Sequence, residues 1–155
     1  MTGHKTHKFT KAGLKLFKDE YLSLEKKRKL AVEELTWARD LGDRSENAAY
    51  KSARRKLSGI DSRMRFLRRV IDNSKVYDAV RTDFVNIGCR VVVKNGLTQV
   101  EYLIVGDHEA DPIRSKISYR SPIGQALIGK KIGDQVNVEV PSGELLLVVM
   151  EICVG

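Results

Sequence analysis

The apolar residues in the first half of the chain follow a helical period. From Thr10 onward they alternate in steps of three and four, which is the spacing of a coiled-coil seam. After the polar stretch LGDRSEN the alternation resumes at Tyr50. The pattern predicts two long helices. Their apolar seam positions are Leu14, Phe17, Tyr21, Leu24, Ala31, Leu35 and Ala38, then Tyr50, Ala53, Leu57, Ile60, Met64, Leu67 and Ile71.

The two series mirror each other about one residue. Each seam position before Arg44 has a counterpart at the same distance after it, as Ala38 has Tyr50. Two unrelated helices would not share a centre, whereas one antiparallel hairpin would. We therefore predict a helical hairpin over residues 10–75 with its bend at Gly42–Ser45. At a rise of about 1.5 Å per residue, about thirty residues give a rod of roughly 45 Å.

One seam position departs from the apolar pattern. Arg28 stands opposite Ile60 in the mirror relation. A long arginine can lay its aliphatic stem over apolar neighbours while its charged head stays in water, so the hairpin prediction survives this mismatch.

The pattern changes near Val76, where β-branched runs replace the helical period. Two such runs are joined through Asn95–Gly96, a strong hairpin signal, and two further strands turn at Pro141–Gly143. Ser121–Pro122 opens a short helix as N-cap and first helical residue, and Gly129 closes it. These elements predict a compact mixed helix and strand region.

The fold class expected from these patterns is α+β, in two domains. Residues 1–78 form the coiled-coil hairpin domain, and residues 79–155 form a small α+β domain. The only cysteines, Cys89 and Cys153, have neither disulfide nor zinc spacing. No run has membrane-spanning length and the N-terminus lacks the apolar core of a signal peptide, so we expect a soluble cytoplasmic protein without membrane partners.

The charge balance points to an anionic partner. The net charge is +8, which suits nucleic acid, an acidic protein surface or a membrane surface. Much of the excess lies on the second helix, where Asp61 is the only acid between Lys51 and Arg69 and eight residues are basic. Those eight are Lys51, Arg54, Arg55, Lys56, Arg63, Arg65, Arg68 and Arg69.

Two acids, Asp43 and Glu46, interrupt this basic surface at the bend. One interpretation is structural, because Asp43 suits an N-cap and Asp43-x-x-Glu46 has the spacing of a capping box. The other is functional, because exposed carboxylates that approach a polyanion need a compensating cation. Mg²⁺ suits that role, since it prefers oxygen ligands and is often shared with substrate phosphates. The sequence leaves both interpretations open.

The residues of the bend resemble a known family. TWARDLGDRSENAAYKSARRKLSGIDSRMRFL resembles the GreA/GreB family of bacterial transcript cleavage factors, and is closest to its GreB branch. SPIGQALIGKKIGDQVNVEVPSGE resembles the SP-x-x-x-AL-x-GK-x-x-GD segment of the same family. Together with the predicted hairpin, the two segments cover nearly the whole chain in the right order.

The resemblance implies a function that neither charge nor spacing establishes. It implies an FKBP-like second domain that docks on RNA polymerase, and a monomeric, non-enzymatic factor whose coiled coil enters the secondary channel. Asp43 and Glu46 would then help the polymerase hold a Mg²⁺ that cleaves backtracked RNA. Lys51, Arg54 and Arg55 are our first choices for contacts with the RNA 3′ end. Contact with the polymerase rim is expected at Ser121 and Pro122, and DNA binding is expected as part of transcription.

Two departures from the family pattern keep alternatives open. A position that is usually acidic is Ala49 here, and the usual Ala-Arg pair after SP-x is Gly124–Gln125. The alternative function on the same scaffold is a channel-binding inhibitor that does not promote cleavage. A third hypothesis is a module in which the basic hairpin grips structured RNA directly.

Overall fold

The computed structural model describes residues 6–41, 47–77 and 83–155. The chain is α+β, as the sequence predicts. The helices are α1 (Lys11–Asp40), α2 (Ala48–Asp72) and α3 (Pro122–Leu127). The strands are β1 (His7–Phe9), β2 (Ser74–Val76), β3 (Cys89–Asn95), β4 (Thr98–Val105), β5 (Lys116–Ser118), β6 (Gln135–Val140) and β7 (Gly143–Val154).

The chain divides into two compact units. One contains Lys15–Asn73, and the other contains Met1–Leu14 together with Ser74–Gly155. The boundary expected between residues 78 and 79 falls outside the described residues and stays a prediction. No helix in the described ranges is long and apolar enough to cross a membrane.

Residues Lys15–Asn73 form the expected antiparallel pair of helices. Every apolar seam residue in this range is buried or half-buried, whereas most positions between them are exposed. Ion pairs join α1 to α2, including one at 2.6 Å between Arg28 and Asp61, the neighbour of its predicted counterpart Ile60. The head of Arg28 is therefore paired with a carboxylate, where we expected it only in water. Val70 is buried although it lies outside the predicted series.

The second unit is built on a five-stranded sheet with the order β5-β4-β3-β7-β6. Only the β4–β5 pair is parallel, and the others are antiparallel. Alternate residues of β3, β6 and β7 point into one core, which α3 covers. The core contains Val85, Cys89, Val91, Val93, Ile104, Leu127, Val136, Val138, Leu147 and Val149.

The β3–β4 turn confirms the hairpin but shifts its centre by one residue. Asn95 pairs with Thr98, so the two turn residues are Gly96 and Leu97. Gly96 has φ +58°, which is the left-handed geometry that the first central residue of a type II′ turn requires. The predicted signal at Asn95–Gly96 was right about the turn and wrong about its register.

The N-terminus adds a strand that the hydrophobic pattern did not predict. β1 pairs in parallel with β2, and Phe9 is fully buried. Thr10 caps α1, because its hydroxyl accepts a hydrogen bond from the Gly13 amide at 3.0 Å. The carboxylate of Glu109 accepts hydrogen bonds from the Thr10 amide at 2.8 Å and from the Thr10 hydroxyl. A Cβ at Gly13 would lie 1.8 Å from that carboxylate, so a larger residue there would have to displace the Glu109 side chain.

Candidate functional site

The two long helices are fastened together beside the bend by one side chain. α1 ends at Asp40 and α2 begins at Ala48, with Asn47 in extended conformation as its N-cap. The Asn47 Oδ1 accepts a hydrogen bond from the Tyr50 amide at 3.0 Å, which is the usual N-cap bond. The Asn47 Nδ2 donates to the Ala38 carbonyl at 2.7 Å. The same amide therefore contacts the end of one helix and the start of the next.

This geometry tests the capping-box interpretation of Asp43 and Glu46. The capping-box interpretation required Asp43 to be the N-cap of the second helix and Glu46 to follow in its first turn. That prediction is wrong, because Asn47 is the N-cap and α2 begins after both acids. Asp43 and Glu46 themselves lie outside the described residues.

The three basic residues chosen for RNA contact share one face of α2. Lys51, Arg54 and Arg55 are exposed and spaced i, i+3 and i+4, which places neighbouring side chains together on a helix. Together with Ser58 they line a surface depression of about 410 Å³. The site is therefore cationic and begins one turn after the Asn47 cap.

Other basic residues of α2 are already paired across the hairpin. Arg63 forms a two-pronged contact with Glu20 at 2.8 and 2.9 Å. This hydrogen bond to Glu20 raises the pKa of the Arg63 guanidinium, so the charge is held firmly. Lys56 lies 2.5 Å from Glu34. These residues serve the helix–helix contact, and their charges are partly neutralised.

The basic residues of α2 nearest the bend, Lys51, Arg54 and Arg55, differ from Lys56 and Arg63 in their ion pairing. Among the described carboxylates, none lies within 4.0 Å of a charged group of Lys51, Arg54 or Arg55. An anionic ligand would not have to displace an ion pair to reach them, at least from the part of the chain that the structure covers. Phosphate groups are the natural ligands for such exposed guanidinium and ammonium groups.

The second predicted contact site lies at the start of α3. The Ser121 hydroxyl donates to the Ser118 carbonyl at 2.7 Å and accepts from the Gly124 amide at 3.1 Å. Ser121 is thus the N-cap that the sequence predicts, and its side chain is engaged within the fold. Pro122 is the first helical residue and is exposed. Of the two, Pro122 offers the accessible surface, and Ser121 holds it in place.

A polar cluster next to α3 was missed by the sequence reasoning. Arg120 lies 3.1 Å from Asp107 and donates to the Tyr119 hydroxyl at 2.9 Å. The bond to Tyr119, with help from the Asp107 charge, raises the pKa of Arg120. Asp107 also accepts a hydrogen bond from the Ser118 hydroxyl at 2.6 Å. No sequence motif signals this cluster, because Asp107 and Arg120 are thirteen positions apart in a loop-rich stretch.

His7 also has neighbours that the sequence did not reveal. A ring nitrogen of His7 lies 3.1 Å from one of His108, and Phe9 stacks on the His108 ring. The Lys8 ammonium lies 5.0 Å from the centre of the Tyr77 ring and 4.8 Å from that of Tyr119. These contacts hold β1 in the second unit. They join residues that are 69 to 111 positions apart in the sequence, which local patterns cannot detect.

Metal ligands were also sought among the residues with defined positions. Within the described ranges there is no group of three or more His, Cys, Asp or Glu side chains that could hold a metal ion. The expected Mg²⁺ ligands, Asp43 and Glu46, are outside those ranges. The magnesium expectation therefore stays a prediction.

Comparison with known families identifies both halves of the chain. Residues 7–76 match the family model described as the N-terminal region of a transcription elongation factor. Residues 80–153 match the model for the C-terminal region of GreA/GreB transcription elongation factors. The first match ends at residue 76 and the second begins at residue 80.

Relatives extend this match over nearly the full length. Transcription elongation factor GreA of Thermoanaerobacter pseudethanolicus is 44% identical, with 92% of this chain and 94% of the relative covered. GreA of Bacillus licheniformis is 38% identical over 98% of this chain and 99% of its own. Among solved structures, the Thermus thermophilus GreA factor homolog Gfh1 shares 21% identity over 96% and 99% of the two chains, with a TM-score of 0.46. On the family and full-length matches, the chain belongs to the GreA/GreB family of transcription elongation factors.

Proposed function

We propose that this chain binds RNA polymerase, places its helical hairpin in the secondary channel and stimulates Mg²⁺-dependent cleavage of backtracked RNA. The chain itself is not the nuclease, because the polymerase active site performs the hydrolysis. The observation that carries the proposal is the capping of α2 by Asn47. The N-cap of α2 is therefore not Asp43, and both acids precede the cap in the sequence of a basic hairpin.

The form of the hairpin supports delivery to a distant site. α1 has thirty residues, which corresponds to about 45 Å at about 1.5 Å per residue. In Lys15–Asn73 the fully buried side chains are few and mostly small, so the length of this element adds little core. A long, thin element with its unusual chemistry at one end is suited to reach into a channel.

Asp43 and Glu46 would hold Mg²⁺ jointly with the polymerase. Carboxylate oxygens are the ligands that Mg²⁺ prefers, and two of them do not complete an octahedral site. When bound, the ion would lower the pKa of a water molecule and stabilise developing negative charge on the phosphate. The chain would contribute only the two ligands and their placement.

The cationic depression would hold the displaced RNA. Lys51, Arg54 and Arg55 are exposed and start one turn beyond the Asn47 cap. Contacts to phosphate would be independent of base sequence and would weaken as salt rises. The exposed Pro122, positioned by Ser121, would form part of the separate docking surface on the polymerase rim.

RNA shortening in a stalled, backtracked polymerase complex tests the tip. We expect wild type to shorten the RNA, and the double variant Asp43→Ala/Glu46→Ala to lose nearly all stimulation without loss of helix content. If wild type and double variant act alike, the proposed role of the tip is wrong. If wild type only slows elongation, the inhibitor alternative is correct.

Charge neutralisation on α2 tests the RNA contact, and the helix offers a matched control. Lys51→Gln/Arg54→Gln/Arg55→Gln removes three charges near the bend. Arg65→Gln/Arg68→Gln/Arg69→Gln removes three charges at the same i, i+3, i+4 spacing two heptads later, also from exposed positions. We expect the first triple variant to require more factor for half-maximal cleavage, and the second to stay close to wild type. Equal losses would mean that only overall charge matters.

The inhibitor function keeps one observation in its favour. Ala49 is exposed in the first turn of α2, and that turn contains no acid. A supporting carboxylate is therefore missing at a position where the family usually has one. The variant Ala49→Glu discriminates, since a gain of cleavage from an inactive wild type would identify an inhibitor scaffold.

Whether the chain belongs to the GreA or the GreB branch of the family is a more detailed inference. We infer a GreB-like hairpin from the resemblance of residues 36–67, although the relatives compared above carry the name GreA. Side-by-side comparison of the RNA fragments released by this chain, a GreA and a GreB would assign it. Sedimentation of the isolated chain would test the expected monomer.

A further inference from the structure

Asn47 uses both ends of its side-chain amide, each on a different helix. The last four carbonyls of α1 and the first four amides of α2 have no partner within their own helices. Asn47 satisfies one of each, the Ala38 carbonyl at 2.7 Å and the Tyr50 amide at 3.0 Å. Its backbone also begins α2, since its carbonyl accepts from the Lys51 amide at 3.1 Å.

Capping alone does not require asparagine at this position. Asp and Ser are comparable N-caps, because each supplies an oxygen acceptor for an amide of the first turn. Only asparagine among the preferred caps also carries a strong two-hydrogen amide donor on the same short side chain. The bond to Ala38 is therefore an additional function, separable from the cap by substitution.

The two bonds fix the helix positions from which the bend segment departs and to which it returns. Ala38 and Asn47 are nine positions apart, and the residues between them include Asp43 and Glu46. We propose that Asn47 is a positioning residue for the two tip acids, acting through the Ala38 contact. This inference rests on the proposed cleavage function.

Positioning of this kind has a large effect on rate. A catalytic group displaced by about 1 Å can lose about a hundredfold in rate even when binding is unchanged. Ligands that complete a metal site depend in the same way on the residues that hold them. Loss of the Ala38 contact should therefore lower the cleavage rate at saturating factor more than it lowers affinity for the polymerase complex.

Two variants remove the contact with Ala38 while keeping the N-cap of α2. Asn47→Ser and Asn47→Asp both retain an N-cap acceptor and both lose the amide donor. One is neutral and the other anionic, so an effect common to both is not caused by charge. Asn73→Ser is the matched control, because the Asn73 amide donates to the Arg69 carbonyl at 2.8 Å at the opposite end of α2.

The experiment measures cleavage rate against factor concentration in a backtracked complex. For Asn47→Ser and Asn47→Asp we expect the maximal rate to fall roughly tenfold to a hundredfold, with half-saturating factor within about twofold of wild type. Asn73→Ser should retain the wild-type maximal rate. Circular dichroism should show wild-type helix content for all three variants.

Two kinds of failure can be told apart by including Asp43→Asn/Glu46→Gln. If wild type cleaves, the acid variant does not, and both Asn47 variants match wild type, the positioning role is wrong while the cleavage function stands. A change confined to half-saturating concentration would also overturn the positioning role. If wild type does not stimulate cleavage, or the acid variant equals wild type, the cleavage function fails and the positioning role fails with it.

Discussion

The hairpin and the sheet domain bury apolar surface in different ways. Among the described residues of Lys15–Asn73, the buried side chains are Ala31, Ala38, Ala53, Leu67 and Val70, of which three are alanines. The sheet domain instead concentrates branched residues such as Val91, Ile104 and Leu127 in one cluster. A core that needs many residues constrains most of its sequence, whereas a two-helix seam leaves most positions exposed. The exposed positions of the hairpin can therefore carry function at little cost in stability.

The largest stability effect should come from the sheet core. Leu127 is fully buried, whereas Leu30 on α1 is 65% exposed. We expect Leu127→Ala to lower the free energy of unfolding of the sheet domain by about 2–5 kcal/mol, since it leaves a cavity. Leu30→Ala should change the stability of the hairpin by less than about 0.5 kcal/mol. Denaturant titration followed by hydrogen exchange in each region measures both effects. Similar losses of stability for the two variants would contradict the expected difference between the sheet core and the exposed face of the hairpin.

A smaller effect is expected from overfilling the seam. Ala53 is 2% exposed, so the two helices leave no room for a larger side chain there. Ala53→Leu should lower hairpin stability by about 1–3 kcal/mol. Ala48→Leu, at an exposed position of the same helix, is the control and should be nearly neutral. If Ala53→Leu were neutral as well, the helices would not be closely packed at this level.

The ion pairs across the hairpin should contribute less again. Glu20 and Arg63 are roughly half exposed, and solvent screens such pairs. A double-mutant cycle with Glu20→Gln and Arg63→Gln should give a coupling of about 0.2–1 kcal/mol. The coupling should decline as salt is raised. A larger, salt-independent value would show that the seam depends on this pair more than on its apolar residues.

The smallest effect concerns one exposed thiol of the sheet domain. Cys153 donates to the Glu151 carboxylate at 3.1 Å, and this bond raises the pKa of the thiol. Less thiolate is then present near neutral pH, so Cys153 should react slowly with iodoacetamide. Glu151→Gln should lower that pKa and speed the reaction. The two rates should converge once pH exceeds both pKa values, and identical rates at every pH would contradict the contact.

The sequence predicted those parts of the fold that repeat or are local. The mirrored seam gave the hairpin, and Ser121 with Pro122 gave the start of α3. It did not predict β1, because that strand has three residues and its partner β2 is far away in sequence. It also placed the second N-cap at Asp43, since several polar residues near the bend suit that role. The N-cap is instead Asn47, whose side-chain amide also donates to the Ala38 carbonyl near the end of α1.

For the candidate site, the sequence identified the basic residues of α2 but not which of them form ion pairs with acids of α1. It named eight basic residues on α2 and favoured Lys51, Arg54 and Arg55 among them. The structure adds that acids of α1 form ion pairs with Lys56 and Arg63 but lie farther than 4.0 Å from Lys51, Arg54 and Arg55. Such pairing depends on the register between the helices, which the sequence fixes only to within a residue or so.

We propose that docking and tip chemistry belong to separate surfaces, so a tip variant should bind the polymerase without promoting cleavage. Competition between wild type and Asp43→Asn/Glu46→Gln in a backtracked complex tests this directly. With wild type held at its half-saturating concentration, rising double variant should suppress RNA cleavage, reaching about half the initial rate at roughly twice the wild-type concentration if affinities are equal. Undiminished cleavage at a large excess of the double variant, or full cleavage by the double variant alone, would contradict the account.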